Sequence, residues 1–263
     1  MVLLNPRRVD RANHNTPILY DREIDDFAQD VLADYKPELL RRPGKINHQH
    51  FIESYLQMRI DYQDIYNEDP ERPILAMTAF AKGKVRVFDR ENNRVKKIVV
   101  QERTVIIDNA VTEPGKECLA LFSGMHEGGH VTMHWPVFTG KTFDGEVYDP
   151  DYEFDGEPIV CCRRENIEIA RSPKQIRTAE GWREHQADYF AAAITMPNAT
   201  FKPFVNNLLR ECGHYKGAIR LGINADLDIL ADDILPDAIS ETYGVSRRAA
   251  RIKLRKTGFV FGG

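Results

Sequence analysis

The spacing of apolar residues changes twice along this 263-residue chain, and this limits the possible folds more than any other feature. Apolar side chains three and four positions apart, as in residues 21–41, indicate amphipathic helices. From residue 74 to residue 107, short apolar or alternating runs predict strands, with a hairpin that turns at Asn92-Asn93. Helical spacing then returns, so we expect an α+β fold in which helices pack on a small antiparallel sheet. The predicted helices lie within residues 21–41, with a stop near Pro37, and cover 48–60, 117–134 and 179–195 and most of 200–263. The predicted strands cover 74–80, 85–88, 95–100, 104–107 and 159–162.

The length of the chain fits one large domain or two small ones. We expect an N-terminal helical lead-in over residues 1–70, a central core over 71–200 and a C-terminal helical segment over 201–263. The last segment has the pattern of a helix, a turn and a basic helix, which is similar to a helix-turn-helix pair.

Composition excludes several classes of protein. Lys and Arg number 36 and Asp and Glu number 40, and the net charge of −4 argues against a dedicated nucleic-acid binder. No apolar run approaches the roughly 20 residues that span a bilayer, and the first residues lack the apolar stretch of a signal peptide. The 4 cysteines show no CxxC spacing, which is typical of a reducing compartment. We therefore expect a cytoplasmic protein that does not associate with a membrane.

One short motif carries recognisable chemistry: His126-Glu127-Gly128-Gly129-His130. Side chains four positions apart lie on one face of a helix, so both imidazoles can reach one metal ion. Glu127 would then lie beside the open coordination position, where it could take a proton from water and pass it to a leaving amine. This is the HExxH arrangement of zinc peptidases. The alternative for the motif alone is a helix with two hydrogen-bonded histidines.

The neighbourhood of the motif favours the metal site. The residues before it are mostly apolar, which predicts a buried helix, and buried histidines need partners. Each of the two glycines costs a helix interior about 1 kcal/mol relative to alanine. A sequence that keeps both glycines indicates that another part of the backbone approaches closely there.

A catalytic zinc site usually has three protein ligands and one open position. The peptidases in which a third His follows a Gly turn are excluded, because Met133 and Pro136 stand where that Gly and His would lie. His134 is two helical turns from His126, about 12 Å along the axis, and we interpret it as a helix-end or core-facing histidine.

The other common third ligand is a carboxylate on a second helix, here the one predicted over 179–195. Glu184 lies at the edge of the apolar face of that helix, where an unpaired carboxylate is expensive to bury. Glu180, one turn earlier, is a competing ligand that the spacing does not exclude. Asp188, one turn later, can hold a ligand histidine through its second ring nitrogen.

The HEGGH motif and the segment E-x-Q-A-D-x-F-A-A-x-x-x-M-P at 184–197 together resemble the ImmA/IrrE family of metallopeptidases. The similarity covers about residues 70–263. The sequence departs from the family pattern at Gly128, where an aliphatic residue is usual, and in the long gap between His130 and Glu184.

The resemblance implies a gluzincin-like peptidase with a zincin-like fold and the HExxH motif on a core helix. It implies that His126, His130 and Glu184 bind one zinc ion per chain and that Glu127 is the catalytic base. It also implies a protein substrate, a helix-turn-helix repressor whose cleavage relieves repression in mobile elements or stress responses.

Two further features leave alternatives open. The acidic segment 144–157 could recruit a basic partner or bind calcium, although it lacks the EF-hand spacing, and we interpret it as a solvated loop. The residue that stabilises the oxyanion is not determined by spacing, and the candidates are Tyr148, Tyr152, Tyr189 and His185.

We therefore expect a zinc-dependent endopeptidase that hydrolyses a peptide bond in a specific regulatory protein and does not bind nucleic acid directly. One alternative is a non-catalytic, zinc-stabilised regulator that binds a repressor or DNA through the basic C-terminus, with Arg247, Arg248, Arg251 and Arg255 as phosphate contacts. Another is a metal hydrolase that acts on a non-peptide amide. Manganese or iron could replace zinc, since His and carboxylate ligands accept several metals.

Overall fold

The computed structural model describes residues 1–71, 73–141, 159–163 and 176–262, with only the backbone described for 160–163. Helices and short strands follow one another as an α+β fold, which confirms the predicted class. In the described part of the chain, no helix has both the length and the apolar composition needed to cross a membrane. The strands are β1 (Val9–Asp10), β2 (Thr16–Pro17), β3 (Arg59–Gln63), β4 (Ile74–Ala79), β5 (Gly83–Asp89), β6 (Arg94–Val100), β7 (Thr104–Asp108), β8 (Ile159–Arg163), β9 (Ile219–Arg220) and β10 (Val260–Phe261). The helices are α1 (Asp21–Tyr35), α2 (His48–His50), α3 (Glu117–Thr139), α4 (Ala179–Thr195), α5 (Asn198–Glu211), α6 (Ala225–Ile229), α7 (Leu235–Tyr243) and α8 (Arg247–Lys256).

The central sheet has four strands in the order β3-β7-β4-β8. β4 is antiparallel to both of its neighbours, as predicted, but β3 runs parallel to β7, with Arg59 opposite Thr104. The prediction of a wholly antiparallel sheet is therefore wrong at this edge. The chain between β3 and β7 forms three other strands, and such a long connection permits parallel pairing that apolar spacing does not reveal.

The predicted hairpin is confirmed. β5 and β6 pair antiparallel from Gly83 opposite Val100 to Asp89 opposite Arg94, with Asn92 and Asn93 in the turn. Apolar residues of the hairpin pack against the central sheet and form a second, smaller core with Met77.

The prediction of a helix over residues 48–60 is wrong at its C-terminal end. Helical structure continues only through a π-turn at Phe51–Tyr55, and the chain then enters β3. Leu56 and Met58, which look helical by spacing, lie in the turn between the two elements. The first predicted helix ends at Tyr35, as the predicted stop near Pro37 requires, and Pro37 begins a separate 3-10 turn.

α3 continues past the predicted end at residue 134, through Pro136, to Thr139, and ends at Gly140 with a left-handed backbone (φ 62°). It is buried on nearly all sides and contacts α4, β4 and β7. The HExxH motif therefore lies on a helix inside the core, where every ionisable group must have a partner.

The main apolar core is continuous from Leu19 near the N-terminus to Val260 near the C-terminus. The domain boundaries after residues 70 and 200 stay a prediction. The C-terminal helices α7 and α8 are joined by a turn at Gly244, which gives the pair expected from the sequence. Arg247 forms ion pairs of 2.8 and 2.5 Å with Asp233 and Asp237, and these contacts hold α8 against the preceding helices.

Candidate metal centre

Three side chains from α3 and α4 bring ligand atoms together inside the core. The Nε2 atoms of His126 and His130 lie 3.0 Å apart. The carboxylate oxygens of Glu184 lie 3.4 Å from Nε2 of His126 and 3.3 Å from Nε2 of His130. The ligand atoms of this group all lie within 4.8 Å of one another, so the group could hold a metal ion.

The partner of His126 determines which ring nitrogen faces this group. Nδ1 of His126 lies 2.8 Å from Oδ1 of Asp188. A carboxylate oxygen accepts hydrogen bonds, so Nδ1 carries the proton and Nε2 faces Glu184. Asp188 therefore contacts the second ring nitrogen of His126, the position that the sequence predicted for it.

A chain of buried hydrogen bonds determines the orientation of His130. The amide nitrogen of Gln186 donates to the carbonyl oxygen of Pro17 at 2.7 Å, so its Oε1 faces His134. Nε2 of His134 must then donate to that oxygen at 2.8 Å, which leaves Nδ1 of His134 as an acceptor. Nδ1 of His130, 3.0 Å away, donates to it, and Nε2 of His130 is left to face Glu184.

His134 thus lies in the core, as one of its two interpretations expected, and its neighbours keep it neutral. Burial and the adjacent His130 lower the pKa of His134 well below its ordinary value. Sequence reasoning assigned no role to His134 or Gln186. The sequence held part of the signal, because His134 is four residues after His130 on one helical face, but no spacing links Gln186 on the other helix to them.

The charges at the site shift its pKa values in different directions. Burial lowers the pKa of His126, but the hydrogen bonds and charges of Asp188 and Glu184 outweigh burial and raise it well above the ordinary value. Burial lowers the pKa of His130. Burial also raises the pKa of Glu184, but the two histidines outweigh this and hold it below its usual range. The arrangement favours a proton on Nε2 of His126, which places one positive charge against Glu184. A metal cation at this position can replace that proton.

Glu127 faces the sheet side of α3 and is fully buried. Its Oε2 accepts a 2.5 Å hydrogen bond from Oγ1 of Thr78 on β4. Thr78 did not emerge from the sequence, because a threonine inside a strand pattern gives no sign of a partner on a helix 49 residues away.

The competing ligand and the oxyanion candidates lie elsewhere. Glu180 is exposed in the first turn of α4 and does not belong to the ligand group. Nε2 of His185 lies 3.0 Å from Asp21, and the hydroxyl of Tyr189 donates to Asp25 at 2.9 Å, so α1 carboxylates hold both side chains. Tyr148, Tyr152 and the acidic segment 144–157 lie outside the described residues.

The two glycines of the motif allow other elements to approach α3, as the sequence indicated. A Cβ atom at Gly129 would lie 3.1 Å from the Cα atom of Ala187 on α4. A Cβ atom at Gly128 would lie 2.7 Å from the ring of Phe51. The close approach of α4 at Gly129 brings Glu184 within reach of both histidines.

A cavity of about 670 Å³ reaches this group at Glu184 and Asp188. Phe122, one turn before His126 on α3, also lines it. Residues of α5 and α8, including Lys202 and Lys256, contribute to the same lining. The ligand group is therefore buried on its histidine side and open to a cleft on its carboxylate side.

Comparison of the chain with models of protein families, with curated proteins and with solved structures finds no match. The resemblance to the ImmA/IrrE family therefore depends on the motif residues, which the fold brings together at one site.

Proposed function

We propose that this chain is a zinc-dependent endopeptidase of the ImmA/IrrE type, with a zincin-like core. Our main support is the convergence of His126, His130 and Glu184, with both imidazoles oriented by hydrogen bonds at their other nitrogen. Three such ligands with room for a fourth are the donor set of catalytic zinc sites, whereas structural sites close with four protein ligands.

Zinc held by His126, His130 and Glu184 would act as a Lewis acid, which would polarise a peptide carbonyl and make water a stronger nucleophile at neutral pH. Glu127 takes a proton from water as its oxygen bonds to the carbonyl carbon, and then delivers that proton to the amine nitrogen as the C–N bond breaks. Thr78 orients the carboxylate of Glu127 through its hydrogen bond. Asp188 and His134 orient the two imidazoles.

We propose a specific regulatory protein as the substrate, and the family resemblance favours a helix-turn-helix repressor. The cavity beside Glu184 has the volume of pockets that accept small ligands or a few residues of a peptide. Two arginines of the basic C-terminus are engaged within the chain, since Arg247 pairs with Asp233 and Arg251 donates to the carbonyl oxygen of Asp232 at 2.7 Å. We therefore propose that the C-terminal segment stabilises the fold and lines the cleft, and that it does not bind DNA.

Metal content tests the site. We expect about one zinc ion per wild-type chain by mass spectrometry and severalfold less in His126→Ala and Glu184→Ala, because three ligands are needed for tight binding. Glu180→Ala removes an exposed acid of the same helix and is the matched control, which should keep the metal. Loss of zinc from Glu180→Ala but not from Glu184→Ala would contradict the ligand assignment.

The Glu127→Gln variant tests the reaction. It should keep its zinc and lose about a hundredfold to ten-thousandfold in cleavage rate, the usual effect of removing a general base. The measurement is the set of new protein N-termini in cells that express the wild type or the variant, identified by mass spectrometry. Identical sets, with the same effect on gene expression, would contradict the peptidase and favour a non-catalytic regulator.

A further inference from the structure

The lining of the cavity beside the metal group contains two chemically different sets of side chains. One set is Glu184 and Asp188 of α4, together with Phe122 of α3. The other set, the lysine wall, is Lys202 of α5 with Lys253 and Lys256 of α8. A ligand that fills this cavity can therefore meet both the metal group and a set of ammonium groups.

The acidic groups of the cavity are already engaged. Asp188 accepts from His126, and Asp108 accepts the backbone N–H groups of Ile65 at 2.8 Å and Ala110 at 2.7 Å. Asp25 accepts from the hydroxyl of Tyr189, and one of its oxygens lies 3.6 Å from Nζ of Lys253. Glu184 belongs to the metal group.

Two of the cavity lysines form no ion pair in the described part of the chain. Over the described ranges, neither Lys202 nor Lys256 has a carboxylate within ion-pair distance. Nζ of Lys256 lies 4.7 Å from the centre of the Tyr189 ring, which keeps its charge at the cavity wall. Lys253 is only 5% exposed, with its ammonium group between Asp25 and the ring of Phe201.

Lys202 and Lys256 are both close enough to repel the ammonium group of Lys253. Burial lowers the pKa of Lys253, Asp25 raises it, and the charges of Lys256 and Lys202 lower it further. An anion placed among them would relieve this repulsion, and because Lys202 and Lys256 are exposed to solvent, salt should weaken the attraction. Leu119, Ala249 and Ile252 also line the cavity and add apolar surface to it.

We propose that the wall formed by Lys202, Lys253 and Lys256 binds the side-chain carboxylate of an Asp or Glu residue in the substrate, near the peptide bond that is cleaved. This inference rests on the proposed peptidase function and specifies its substrate. The wall selects segments that combine an acidic side chain with apolar neighbours. The basic pattern of the C-terminal helix, which resembles a DNA-binding element in sequence, then serves substrate recognition inside the cleft.

Binding of metal-directed peptides to the zinc-loaded full chain tests this. The probes are acetohydroxamate and two series of tripeptide hydroxamates, one extending to each side of the hydroxamate. Each position carries Glu or Gln in turn among alanines, and the free ends are blocked so that the side chain is the only carboxylate. Dissociation constants come from isothermal titration calorimetry.

We expect Glu to bind about tenfold tighter than Gln at one position, as a charge-assisted contact in a cleft would give. Lys202→Gln and Lys256→Gln should each reduce that ratio severalfold, and added salt should reduce it in the wild type. Arg255→Gln is the control, because Arg255 is exposed on the same helix and does not line the cavity. It should leave the ratio unchanged.

Two results would overturn the inference and leave the peptidase function standing. One is equal binding of Glu and Gln at every position while acetohydroxamate binds. The other is tighter binding only by a control peptide with neutral side chains and a free C-terminal carboxylate, which would identify the wall as a site for a chain terminus. If acetohydroxamate itself does not bind the zinc-loaded protein, the proposed function fails and this inference fails with it.

Discussion

Thr78 holds the carboxylate of Glu127 from β4, so the proposed base is positioned by the sheet as well as by its own helix. The hydrogen bond uses one carboxylate oxygen and fixes the rotation of the group. A general base must lie within hydrogen-bond reach of the proton that it takes. A change in the orientation of Glu127 should therefore lower the reaction rate more than it lowers the affinity for the metal.

The Thr78→Val variant tests this role. Removing the hydroxyl should lower kcat about tenfold to a hundredfold with little change in zinc content, because no metal ligand is altered. The rate is measured on a peptide that spans a cleavage site found in cells. Thr104→Val, in the neighbouring strand β7, removes another buried hydroxyl and is the control. An equal loss of activity in both variants would indicate a general effect on the sheet.

At the residue scale, the sequence predicted the groups whose spacing repeats within one helix. His126, His130 and their intervening glutamate follow the helical period, and Glu184 stands out as an acid on an apolar face. The chain from Gln186 through His134 to His130 could not be assigned, because its members come from two helices whose separation is set by packing. Spacing along the chain does not report which side chains meet across an interface.

At the scale of elements, the contact between α3 and α4 sets the distances within the ligand group. Gly129 of α3 meets the backbone of Ala187 on α4, and this backbone cannot rotate away as a side chain could. Glu184 lies one turn before Ala187 on α4, so any increase in the helix separation moves its carboxylate away from both histidines.

We predict that Gly129→Ala destabilises the protein by about 1–2 kcal/mol in urea unfolding. The cost of crowding the interface exceeds the helix propensity that alanine adds. We also expect zinc affinity to fall about tenfold, by competition with a chromophoric chelator. Gly124→Ala is the matched control, because the atoms nearest to its Cβ all belong to the side chain of His48, the closest 2.8 Å away. It can cost stability but should keep the zinc affinity; a loss of affinity in this variant as well would contradict the link to helix separation.

The contact between α1 and α4 provides a prediction about pH. Burial raises the pKa of Asp21, but the hydrogen bond from His185, together with the charges of His185 and of nearby lysines, outweighs burial and lowers it below 3.8. A carboxyl group whose pKa is lower in the folded state stabilises the fold above its unfolded pKa, and this contribution is lost as the pH falls through the folded-state pKa. Asp21→Asn should therefore be less stable than the wild type by about 0.5–1 kcal/mol near neutral pH, the range of a partly exposed ion pair.

Urea unfolding of both proteins between about pH 6 and about pH 3 measures the difference. The difference in unfolding free energy between the wild type and Asp21→Asn should shrink as the pH falls below 3.8, where the wild-type carboxyl group becomes protonated. Asp26→Asn, an exposed acid on the same helix, should show no such dependence. A difference that stays constant across this range would show that charge at position 21 is not its cause.

Elements were predictable from the sequence where local pattern determines them. The hairpin β5–β6 and the buried helix α3 follow from alternation and from a long apolar segment. The first two residues of β3 were predicted as the end of a helix and the rest of the strand was missed, because its residues pair with β7, which is far along the chain and imposes extended structure on this short segment. Direction and pairing of strands depend on such distant contacts and are not contained in spacing.

At the scale of the whole molecule, the proposed metal joins two helices that belong to one continuous core. α3 contacts the central sheet, and α4 contacts α1. A ligand that binds only the folded state stabilises it in proportion to its concentration relative to the dissociation constant. Because the ligand group contains residues of both helices, zinc binding should be coupled to unfolding of the whole core.

We predict that zinc at a hundredfold excess over its dissociation constant stabilises the protein by about 2.7 kcal/mol, which corresponds to a rise of about 5–10 °C in Tm for a chain of this size. The midpoint of thermal unfolding is measured by circular dichroism after a chelator has removed the metal and again after zinc is added. Glu184→Ala should lose most of this rise, while Glu180→Ala, which removes an exposed acid one turn earlier, should keep it. An equal rise in both variants would mean that zinc stabilises the fold from another site, because only Glu184 lies against both histidines.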